Sequence, residues 1–380
     1  MGEPVAIRTL TDEERLDWIR LARAQNVGTV IFHQLIRRFG TAGAALEALP
    51  ELARRGGRER LKIPLRAEAE KLLEAVRRAG ARLVAACEPD YPRLLAEIED
   101  APPLLSVKGD VALFGLPSVA IVGARNASLN GRNFARALAR DLGQAGYVVV
   151  SGLARGIDGA AHEGVLAEPT ASARTIAAIA GGIDVVYPPE HGKLQAEIAA
   201  RGALVAEMPP GTQPLARYFP RRNRVISGLS LGIVVVEAAA RSGSLITARL
   251  AADQGREVFA VPGSPLDPRC KGSNGLLRDG AVLVEEVADV IAVLGSRSSF
   301  QEERPAGFGA PAGPEPAADE LEKGRAPLLE LLGPSPVPVD ELIRRCQFSH
   351  AVVMAVLLEL ELAGRLERHA GNRVSLVLQP

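Results

Sequence analysis

The chain has 380 residues, too many for one ordinary domain, so its length predicts two or three domains. Hydrophobic residues make up 47% of the chain and charged residues 24%, which is typical of a soluble globular protein. The 45 Lys and Arg balance the 45 Asp and Glu, so the total charge gives no support for a nucleic acid, a membrane surface or an acidic substrate as partner.

The cysteines and the hydropathy pattern indicate a cytoplasmic protein. Cys87, Cys270 and Cys346 are far apart in the sequence and form neither a disulfide framework nor a CxxC zinc motif, which favours a reducing compartment. No uncharged run reaches the length needed to span a membrane, and the N-terminus lacks the apolar core of a signal peptide. We therefore expect a cytoplasmic location without membrane contact.

Residues 1–86 are predicted to form a module of short helices. Thr11, with Glu14 three residues later, has the spacing of a capping box at the start of the first helix. A second helix, TVIFHQLIRRFG, and a third, RAEAEKLLEAVRRAG, each end at a glycine, as helices commonly do. Compact helical modules of this kind bind the DNA backbone or serve as packing and protein-contact modules, and the pattern does not separate these roles.

Residues 87–295 are predicted to form an α/β core. Short apolar runs rich in β-branched residues alternate with helical segments from residue 118 onward. The runs are SVAIVG, YVVVSG, RTIAAIAGG, ALVAE, GIVVVEA, EVFAVPG and AVLVEE. Buried runs that alternate with helices are typical of a parallel sheet covered on both faces. The sequence therefore predicts a Rossmann-like, doubly wound sheet.

The C-terminal part is predicted to be a linker followed by a small domain. Residues 296–322 are rich in Pro, Gly, Ala and Glu without periodicity, which is typical of a flexible linker. Residues 323–380 contain three predicted helices, APLLELLG, VDELIRRC and HAVVMAVLLELELAG, and a two-stranded ribbon that turns at Gly371-Asn372. This order is the winged-helix pattern, which serves DNA binding and protein binding about equally. The third helix carries no Arg or Lys, which favours protein contact or a structural role over reading of a DNA groove.

Polar, glycine-rich turns follow five of the core strands. The turns are GARNASLNGR, LARGIDGAAH, IDVVYPPEHG, AARSGSLITA and SPLDPRCKGSNGLL. In doubly wound sheets, ligands lie outside the carboxyl ends of the strands, and helix N-termini at that edge favour anions. A tight connection needs glycine for geometry alone, but five such turns at one edge favour a phosphate-binding surface.

No motif for catalysis or nucleotide hydrolysis is present in the sequence. The first turn has one glycine where the dinucleotide fingerprint GxGxxG has three, and GxxxxGK[ST], HExxH and GxSxG are absent. Ser151, Ser242 and Ser244 have no evident base partner, and His162, four residues after Asp158, is expected to make an orienting hydrogen bond within the fold. We therefore expect no enzyme activity, no cofactor and no metal ion.

Residues 217–230, RYFPRRNRVISGLS, concentrate positive charge beside aromatic rings. Four arginines lie within eight residues, next to Tyr218 and Phe219. Guanidinium groups pair with phosphate oxygens and aromatic rings stack on bases, a combination used to bind single strands. The chain has 39 Arg and only 6 Lys, so the run is also compatible with a coding bias, and Phe219 with a place in the core.

The balanced total charge conceals segments of opposite sign. Residues 1–86 hold 16 basic and 11 acidic side chains, and residues 115–284 hold 18 and 13, which makes each segment +5. Residues 285–322 carry −7 (2 basic, 9 acidic), residues 87–114 carry −4 (2 basic, 6 acidic) and residues 323–380 carry +1 (7 basic, 6 acidic). Because the basic core is offset by acidic connecting segments, the total does not exclude a nucleic-acid partner.

The core sequence resembles the DNA-processing protein A family (DprA, also called Smf) of bacterial natural transformation. The matching motifs are VAIVGARNAS, VVVSGLARGIDGAAH, FPRRNRVISGLS, VVVEAAARSGSLITARLAADQGREVFAVPG and GSNGLLRDGA, in order from residue 118 to residue 288. The flanks are similar to the sterile-alpha-motif-like or helix-hairpin-helix module and the winged helix of family members. The resemblance implies an extended Rossmann fold that binds no dinucleotide. It also implies a homodimer, joined through the central domain, that binds and protects incoming single-stranded DNA and loads a RecA-type recombinase on it.

The resemblance further implies twelve residues that contact DNA. They are Gly123 and Arg125 in the first turn, Ser151 and Gly152 in the second, Phe219, Arg222, Asn223 and Arg224 in a basic pocket with a stacking edge, Ser242, Gly243 and Ser244 in a phosphate cradle, and Lys271. Gly156, Asp158 and His162 are expected to hold their turn in shape. In the first turn, Ala124 stands where many relatives have Ser or Thr, which leaves backbone N–H groups as donors.

The alternative function is a nucleotide-processing enzyme, for example a phosphoribohydrolase on a related Rossmann-like fold. Its glycine-rich PGGxGTxxE turn is missing, since the corresponding turn reads EAAARSGSLIT. Tight binding or turnover of a mononucleotide would favour this alternative over a mediator that binds single-stranded DNA.

Overall fold

The computed structural model describes residues 7–168, 174–298, 318–369 and 371–377. The described residues form two compact units. Those of Met1–Glu70 and of Gly307–Pro380 form one, which we call the terminal unit, and those of Lys71–Ala306 form the other, which we call the central unit. No helix among the described residues is both long and apolar enough to cross a membrane.

Helices make up the described N-terminal part of the chain: α1 (Asp12–Ala22), α2 (Thr29–Phe39), α3 (Ala42–Arg55) and α4 (Arg66–Arg78). The predicted capping box is confirmed, because Thr11 Oγ1 accepts a hydrogen bond from the Glu14 N–H and the Glu14 carboxylate accepts one from the Thr11 N–H. Helix α3 is not among the predicted helices. Its sequence is dominated by small residues and contains Pro50, which obscure the apolar periodicity.

The central unit is built on a sheet of nine strands, counted within the described residues, in the order β1-β2-β6-β5-β4-β3-β7-β8-β9. The strands are β1 (Arg82–Ala85), β2 (Leu104–Gly109), β3 (Ser118–Gly123), β4 (Val148–Ser151), β5 (Thr175–Gly182), β6 (Ala203–Met208), β7 (Gly232–Val236), β8 (Glu257–Ala260) and β9 (Val282–Leu283). All neighbouring pairs from β6 to β9 are parallel. The predicted doubly wound sheet is therefore confirmed.

Strands β1 and β2, which the sequence does not predict, add an antiparallel edge to this sheet. β1 pairs with β2, and β2 pairs with β6. Arg82 begins β1 and Lys108 lies next to the end of β2, so the apolar run of each strand is shorter than that of a typical buried parallel strand. Leu105 and Val107 of β2 are nevertheless buried and contribute to the core.

The sheet has a hydrophobic core on each face because successive side chains of a strand point in opposite directions. Ile121 and Val149 lie in one core, whereas Ala120 and Val150 lie in the other. The helices of the central unit are α5 (Arg93–Ala96), α6 (Leu129–Gln144), α7 (Ile157–Leu166), α8 (Gly192–Arg201), α9 (Phe219–Gly228), α10 (Gly243–Asp253), α11 (Lys271–Arg278) and α12 (Val287–Ser298).

The order of the strands places a switch point in the middle of the sheet. From β3 the chain proceeds to β4, β5 and β6 on one side and then crosses to β7, β8 and β9 on the other. β3 and β7 are neighbours, and ligand crevices of doubly wound sheets form at the carboxyl ends of such a pair. The turns predicted to bind phosphate follow the strands on both sides of this point.

The C-terminal part of the terminal unit is a winged helix, as predicted. Helices α13 (Ala318–Leu331), α14 (Val339–Cys346) and α15 (His350–Leu362) precede the ribbon of β11 (Leu366–His369) and β12 (Arg373–Leu376). A short strand that the sequence does not predict, β10 (Val337–Pro338), pairs with β12. Residues 299–317 of the predicted linker lie outside the described residues. Residues 318–322 belong to α13, whose first turn carries Asp319 and Glu320, as the helix dipole favours.

Candidate nucleic-acid interface

Turns that follow four parallel strands meet at the carboxyl edge of the central sheet. β3, β4, β5 and β7 end at Gly123, Ser151, Gly182 and Val236. Because neighbouring parallel strands end at the same edge, the residues that follow them form one surface. Helix α9 packs against β5 and brings its arginines to this edge.

Phe219 lies at the centre of a group of cationic and aromatic side chains. It begins α9 next to Pro220, a residue favoured in the first turn of a helix. The guanidinium carbon of Arg125 lies 5.0 Å from the centroid of the Phe219 ring, and that of Arg222 lies 5.7 Å from it, both within cation–π range. The Tyr187 ring approaches the Phe219 ring edge-on, with 5.8 Å between centroids. We call Arg125, Tyr187, Phe219 and Arg222 the arginine–aromatic cluster.

Arg222 is the buried member of the cluster. Its Nη1 donates to the Gly152 carbonyl and, at 3.4 Å, to the Ala178 carbonyl, and its Nε donates to Asn223 Oδ1 at 3.2 Å. Asp158 Oδ2 lies 3.9 Å from Arg222 Nη1. Burial lowers the pKa of Arg222, although the nearby carboxylate opposes that shift. These contacts hold the guanidinium group beside the aromatic ring.

The turn after β4 packs against the Arg222 guanidinium group. A Cβ on Gly152 would overlap the Arg222 guanidinium group and lie 2.8 Å from Asp158 Oδ2, so the approach of Arg222 requires glycine there. Ser151 is fully buried, and its hydroxyl donates to the Ile121 carbonyl at 2.6 Å. The structure therefore uses the Ser151 hydroxyl within the fold.

Asp158 and His162 lie on α7, close to the same turn. Asp158 Oδ2 accepts from the Ala154 N–H at 3.3 Å, and burial raises the pKa of Asp158. His162 is fully buried, with its Nδ1 2.7 Å from Thr175 Oγ1. Because Thr175 Oγ1 donates to the Val149 carbonyl at 3.0 Å, it accepts the proton on His162 Nδ1. Burial lowers the pKa of His162 to about 3. The expected orienting hydrogen bond is confirmed.

Arg224 contacts carboxylates of the same unit. Its side chain is 7% exposed, and its Nη2 donates to Glu207 Oε1 at 2.8 Å. Its Nη1 donates to the Asp100 carbonyl, and its Nε lies 3.5 Å from the Asp100 carboxylate. Two carboxylates therefore already neutralise Arg224. Arg217 and Arg221, by contrast, are exposed.

Glu237 fills the anion-binding position at the N-terminus of α6. Ser128 Oγ caps α6 by accepting from the Gly131 N–H at 2.9 Å. The Ser128 N–H donates to the Glu237 carboxylate at 2.8 Å, and the Ser128 hydroxyl donates to it as well. Glu237 has φ +52°, an uncommon value for a residue other than glycine, and a Cβ on Gly131 would lie 2.7 Å from its carboxyl carbon. We call this arrangement the Ser128–Glu237 contact. It puts a carboxylate of the chain where Rossmann folds bind a dinucleotide phosphate.

The first turn begins at a close contact between strands. A Cβ on Gly123 would overlap the Val236 carbonyl and lie 2.6 Å from Ile157 Cγ1. Glycine is therefore required at position 123 by packing, and the exposed side chains that follow it include Arg125 and Asn126.

Ser242, Gly243, Ser244 and Lys271 lie at the starts of α10 and α11. Ser242 Oγ accepts from the Ser244 N–H at 3.3 Å and lies 2.7 Å from Ser244 Oγ, so it caps α10. Gly243 is exposed, and its carbonyl accepts from Asn223 Nδ2 at 3.5 Å, which connects α10 with α9. Lys271 is exposed at the first position of α11.

The structure brings some of the predicted residues together and uses others elsewhere. Arg125, Phe219 and Arg222 form one surface at the sheet edge. Ser151 and Arg224 direct their polar atoms to partners inside the central unit. The contacts of all twelve residues with DNA stay predictions.

Sequence reasoning missed Tyr187 and Glu237. Tyr187 lies in the turn IDVVYPPEHG, where an aromatic residue at the carboxyl edge of a strand is a signal that could have identified it. Glu237 directly follows β7, but its partner Ser128 is 109 residues away in the chain. A contact between residues so far apart in the chain leaves no local pattern in the sequence.

Comparison with known proteins gives consistent matches along the chain. Residues 82–295 match the family model described as DNA recombination-mediator protein A. Residues 12–75 match the DprA-like N-terminal HHH domain, and residues 312–372 match the DprA winged helix domain. Protein Smf of Escherichia coli (strain K12) is 39% identical over 296 residues, which cover 77% of this chain and 77% of that protein.

Two solved structures are similar at more than 30% identity. The X-ray structure of DNA processing protein A (DprA) from Streptococcus pneumoniae matches with a TM-score of 0.60 and 34% identity, covering 75% of this chain and 98% of that chain. The structure of DNA processing protein A from Helicobacter pylori, described for its single-stranded DNA binding mode, matches with a TM-score of 0.50 and 31% identity. That match covers 54% of this chain and 93% of the other.

Proposed function

The chain belongs to the DNA recombination-mediator protein A family, and from this premise we propose that it binds single-stranded DNA at the arginine–aromatic cluster. We further propose a mediator rather than an enzyme. It protects incoming single strands in natural transformation and loads a RecA-type recombinase on them, as a homodimer joined through the central unit. The family description and the single-stranded DNA binding of the Helicobacter pylori relative support the binding role.

The observation that carries the proposal is a partly exposed aromatic ring, Phe219, with two guanidinium groups within cation–π range at the carboxyl edge of the sheet. A base that stacks on an aromatic side chain gains about 1–3 kcal/mol whatever its identity. Arg125, which is exposed and within cation–π range of Phe219, places a cation where the flanking phosphates would pass, and Arg222 holds a second, buried charge beside the ring. Affinity should therefore depend steeply on salt and little on base sequence.

The same edge does not favour the nucleotide-processing alternative. The Ser128–Glu237 contact uses the Ser128 N–H and hydroxyl and places a carboxylate next to the start of α6, where a nucleotide phosphate would lie. Two clefts beside Arg222 have a volume of about 10 Å³ each, roughly the space of one water molecule. Neither cleft has room for a buried base, whereas an extended strand needs only the exposed surface.

Binding of a labelled single strand to the full chain tests the proposal. We expect Arg125→Ala and Phe219→Ala each to weaken binding about tenfold or more, since each removes a contact worth about 1–3 kcal/mol. Arg125→Ala should also reduce the slope of log affinity against log salt by about 0.7, the value for one phosphate contact on a single strand. Arg140→Ala is the matched control. Arg140 is an exposed arginine near the C-terminal end of α6, at the opposite edge of the sheet.

An equal loss of affinity in Arg125→Ala and Arg140→Ala would show that only net charge matters and would remove the cluster from the interface. Binding of mononucleotides, measured in the same assay, distinguishes the enzyme from the mediator. Tight binding or turnover of a mononucleotide would favour the enzyme, whereas competition only by longer strands supports the mediator.

A further inference from the structure

The third helix of the winged helix, α15, is buried nearly all round. Nine of its 13 residues are buried, and it contains no Lys or Arg. A helix that reads a DNA groove keeps a polar face with base-contacting side chains exposed. A helix with apolar residues on every side is packed against other elements on every side. α15 therefore has the character of a helix that contacts protein on both sides.

One face of α15 packs within the winged helix, and the other does not. Val353, Val356 and Leu357 belong to the hydrophobic core of the winged helix. Leu358 and Leu362 are also buried, but they lie outside that core cluster. They are four residues apart and so share one side of the helix. This second face needs another partner.

The second face meets the C-terminal end of α3. A Cβ on Gly56, the residue that ends α3, would overlap the Glu359 carbonyl and lie 2.8 Å from Ala363 Cβ. Gly56 has φ −70° and ψ −8°, ordinary helical values, so the neighbouring helix and not its own backbone requires glycine there. Asn26 Nδ2, from the loop between α1 and α2, donates to the Leu362 carbonyl at 2.8 Å.

Across this contact, an arginine from each side caps the C-terminal end of the helix on the other side. Arg58 Nη1 donates to the Ala363 carbonyl at 3.3 Å, at the end of α15. Arg365 Nη1 donates to the Gly56 carbonyl, also at 3.3 Å, at the end of α3. The last carbonyls of a helix have no partner within it, and the dipole favours a cation there. Each part of the terminal unit therefore completes a helix of the other.

We propose that α15 is a protein-docking helix whose partner is α3 of the same chain. The N-terminal helices α1 to α3 and the winged helix then fold and act as one body, and α15 enters no DNA groove. The charged residues of α15 agree with this role. Glu359 is fully buried in an ion pair with Arg325, and a further acid, Glu361, pairs with Arg368, so the helix presents no cation to a phosphate.

Gly56→Ala in the full chain tests the proposal, because the change should stabilise a free α3 but destabilise an α3 that is docked on α15. At the end of a free α3, alanine in place of glycine is favourable, because the position has helical dihedral angles. If α15 is docked there, the added methyl group forces the helices apart. We expect amide hydrogen exchange in α3 and α15 to become faster together, by about tenfold or more, with the central unit unchanged. Gly333→Ala is the matched control, since a Cβ on Gly333 would meet no atom within 4 Å.

Unchanged or slower exchange of α15 in Gly56→Ala would overturn the proposal. An increase in affinity for duplex DNA in the same variant would also overturn it, because α15 would then be a DNA-binding helix that α3 covers in the wild type. If Gly56→Ala does not fold, Arg58→Ala removes one cap without adding bulk. We then expect exchange to become about threefold faster or more at the end of α15, with duplex affinity unchanged.

Discussion

The Ser128–Glu237 contact and the arginine–aromatic cluster lie at the same sheet edge and share the turn after β3, but they differ in the charge that they carry. In the contact, two donors at the start of α6 are bound to a carboxylate of the chain itself. In the cluster, Arg125 is exposed, and the Gly152 carbonyl and the Asp158 carboxylate hold Arg222 beside Phe219. One part of the edge therefore has a carboxylate at the start of a helix, and the other has an exposed guanidinium group beside an aromatic ring.

This difference indicates how a Rossmann-like sheet can suit an extended strand better than a dinucleotide. A dinucleotide needs a free helix N-terminus and glycines that let its pyrophosphate approach the backbone. An extended single strand needs a stacking ring and cations on the surface. We therefore expect changes in the cluster to alter DNA binding most, and changes in the contact to act mainly on the stability of the first turn.

The largest effect is expected from Arg222, which both belongs to the cluster and supports it. Arg222→Ala leaves Asp158 buried without its cation and the Gly152 carbonyl without its donor. Removal of one partner of a buried charge pair typically costs about 3–5 kcal/mol. We expect a loss of that size in the free energy of unfolding, measured with urea, and loss of single-strand binding under conditions where the variant is folded.

Combining Arg222→Ala with Asp158→Asn separates support from DNA contact. Without a buried carboxylate to compensate, the double variant should recover about half or more of the lost stability. Binding of single strands should not recover. Wild-type affinity in the double variant would mean that Arg222 serves only as a support and that Arg125 is the cation of the cluster that binds DNA.

The next effect is expected from Glu237. Glu237→Ala leaves the Ser128 N–H and hydroxyl without their acceptor, so we expect a loss of about 1–3 kcal/mol in the free energy of unfolding. Affinity for single strands should fall less than in Phe219→Ala. Inorganic phosphate should raise the melting temperature of Glu237→Ala more than that of the wild type, because the N-terminus of α6 becomes free to bind an anion.

Glu237→Gln is the matched control, since it keeps an acceptor oxygen and should cost less stability than Glu237→Ala. A wild type stabilised by phosphate as strongly as Glu237→Ala would show that the anion position is not filled. A loss of DNA affinity as large as that of Phe219→Ala would instead make the contact part of the DNA surface.

The parallel sheet and the glycine-rich turns at its carboxyl edge could be predicted from the sequence because their signals are local. Each parallel strand is a short apolar run, and each glycine-rich turn follows its strand directly. Phe219 and the arginines beside it are adjacent in the chain, so their proximity needed no knowledge of the fold. The antiparallel edge strands were not predicted, because Arg82 at the start of β1 and Lys108 near the end of β2 leave only short apolar runs.

The separate uses of neighbouring arginines could not be predicted from the sequence. Successive residues of a helix are rotated by about 100°, so Arg222 and Arg224 point to different sides of α9. One stacks on Phe219, and the other binds Glu207 and the Asp100 carbonyl, which is 124 residues away in the chain. A run of arginines on a helix therefore predicts the amount of charge but not which guanidinium groups are available to a ligand.

The smallest effect is expected from His162, which lies near the cluster but carries no charge. Its Nδ1–H is bonded to Thr175, and burial lowers its pKa to about 3, against about 6.5 in an unfolded chain. Between these two pH values the unfolded state binds more protons than the folded state. The free energy of unfolding therefore falls as the pH is lowered from about 6.5 toward about 3.

Urea unfolding at several pH values between about 7 and about 5 measures this contribution. Below pH about 6.5, His162 alone should remove at most about 1.4 kcal/mol of stability per pH unit. His162→Asn keeps a donor for Thr175 and should show a shallower dependence than the wild type. Equal slopes for His162→Asn and the wild type would mean that His162 gains its proton over the same pH range in the folded and the unfolded state. Below that range a buried cation would then lie near the arginine–aromatic cluster.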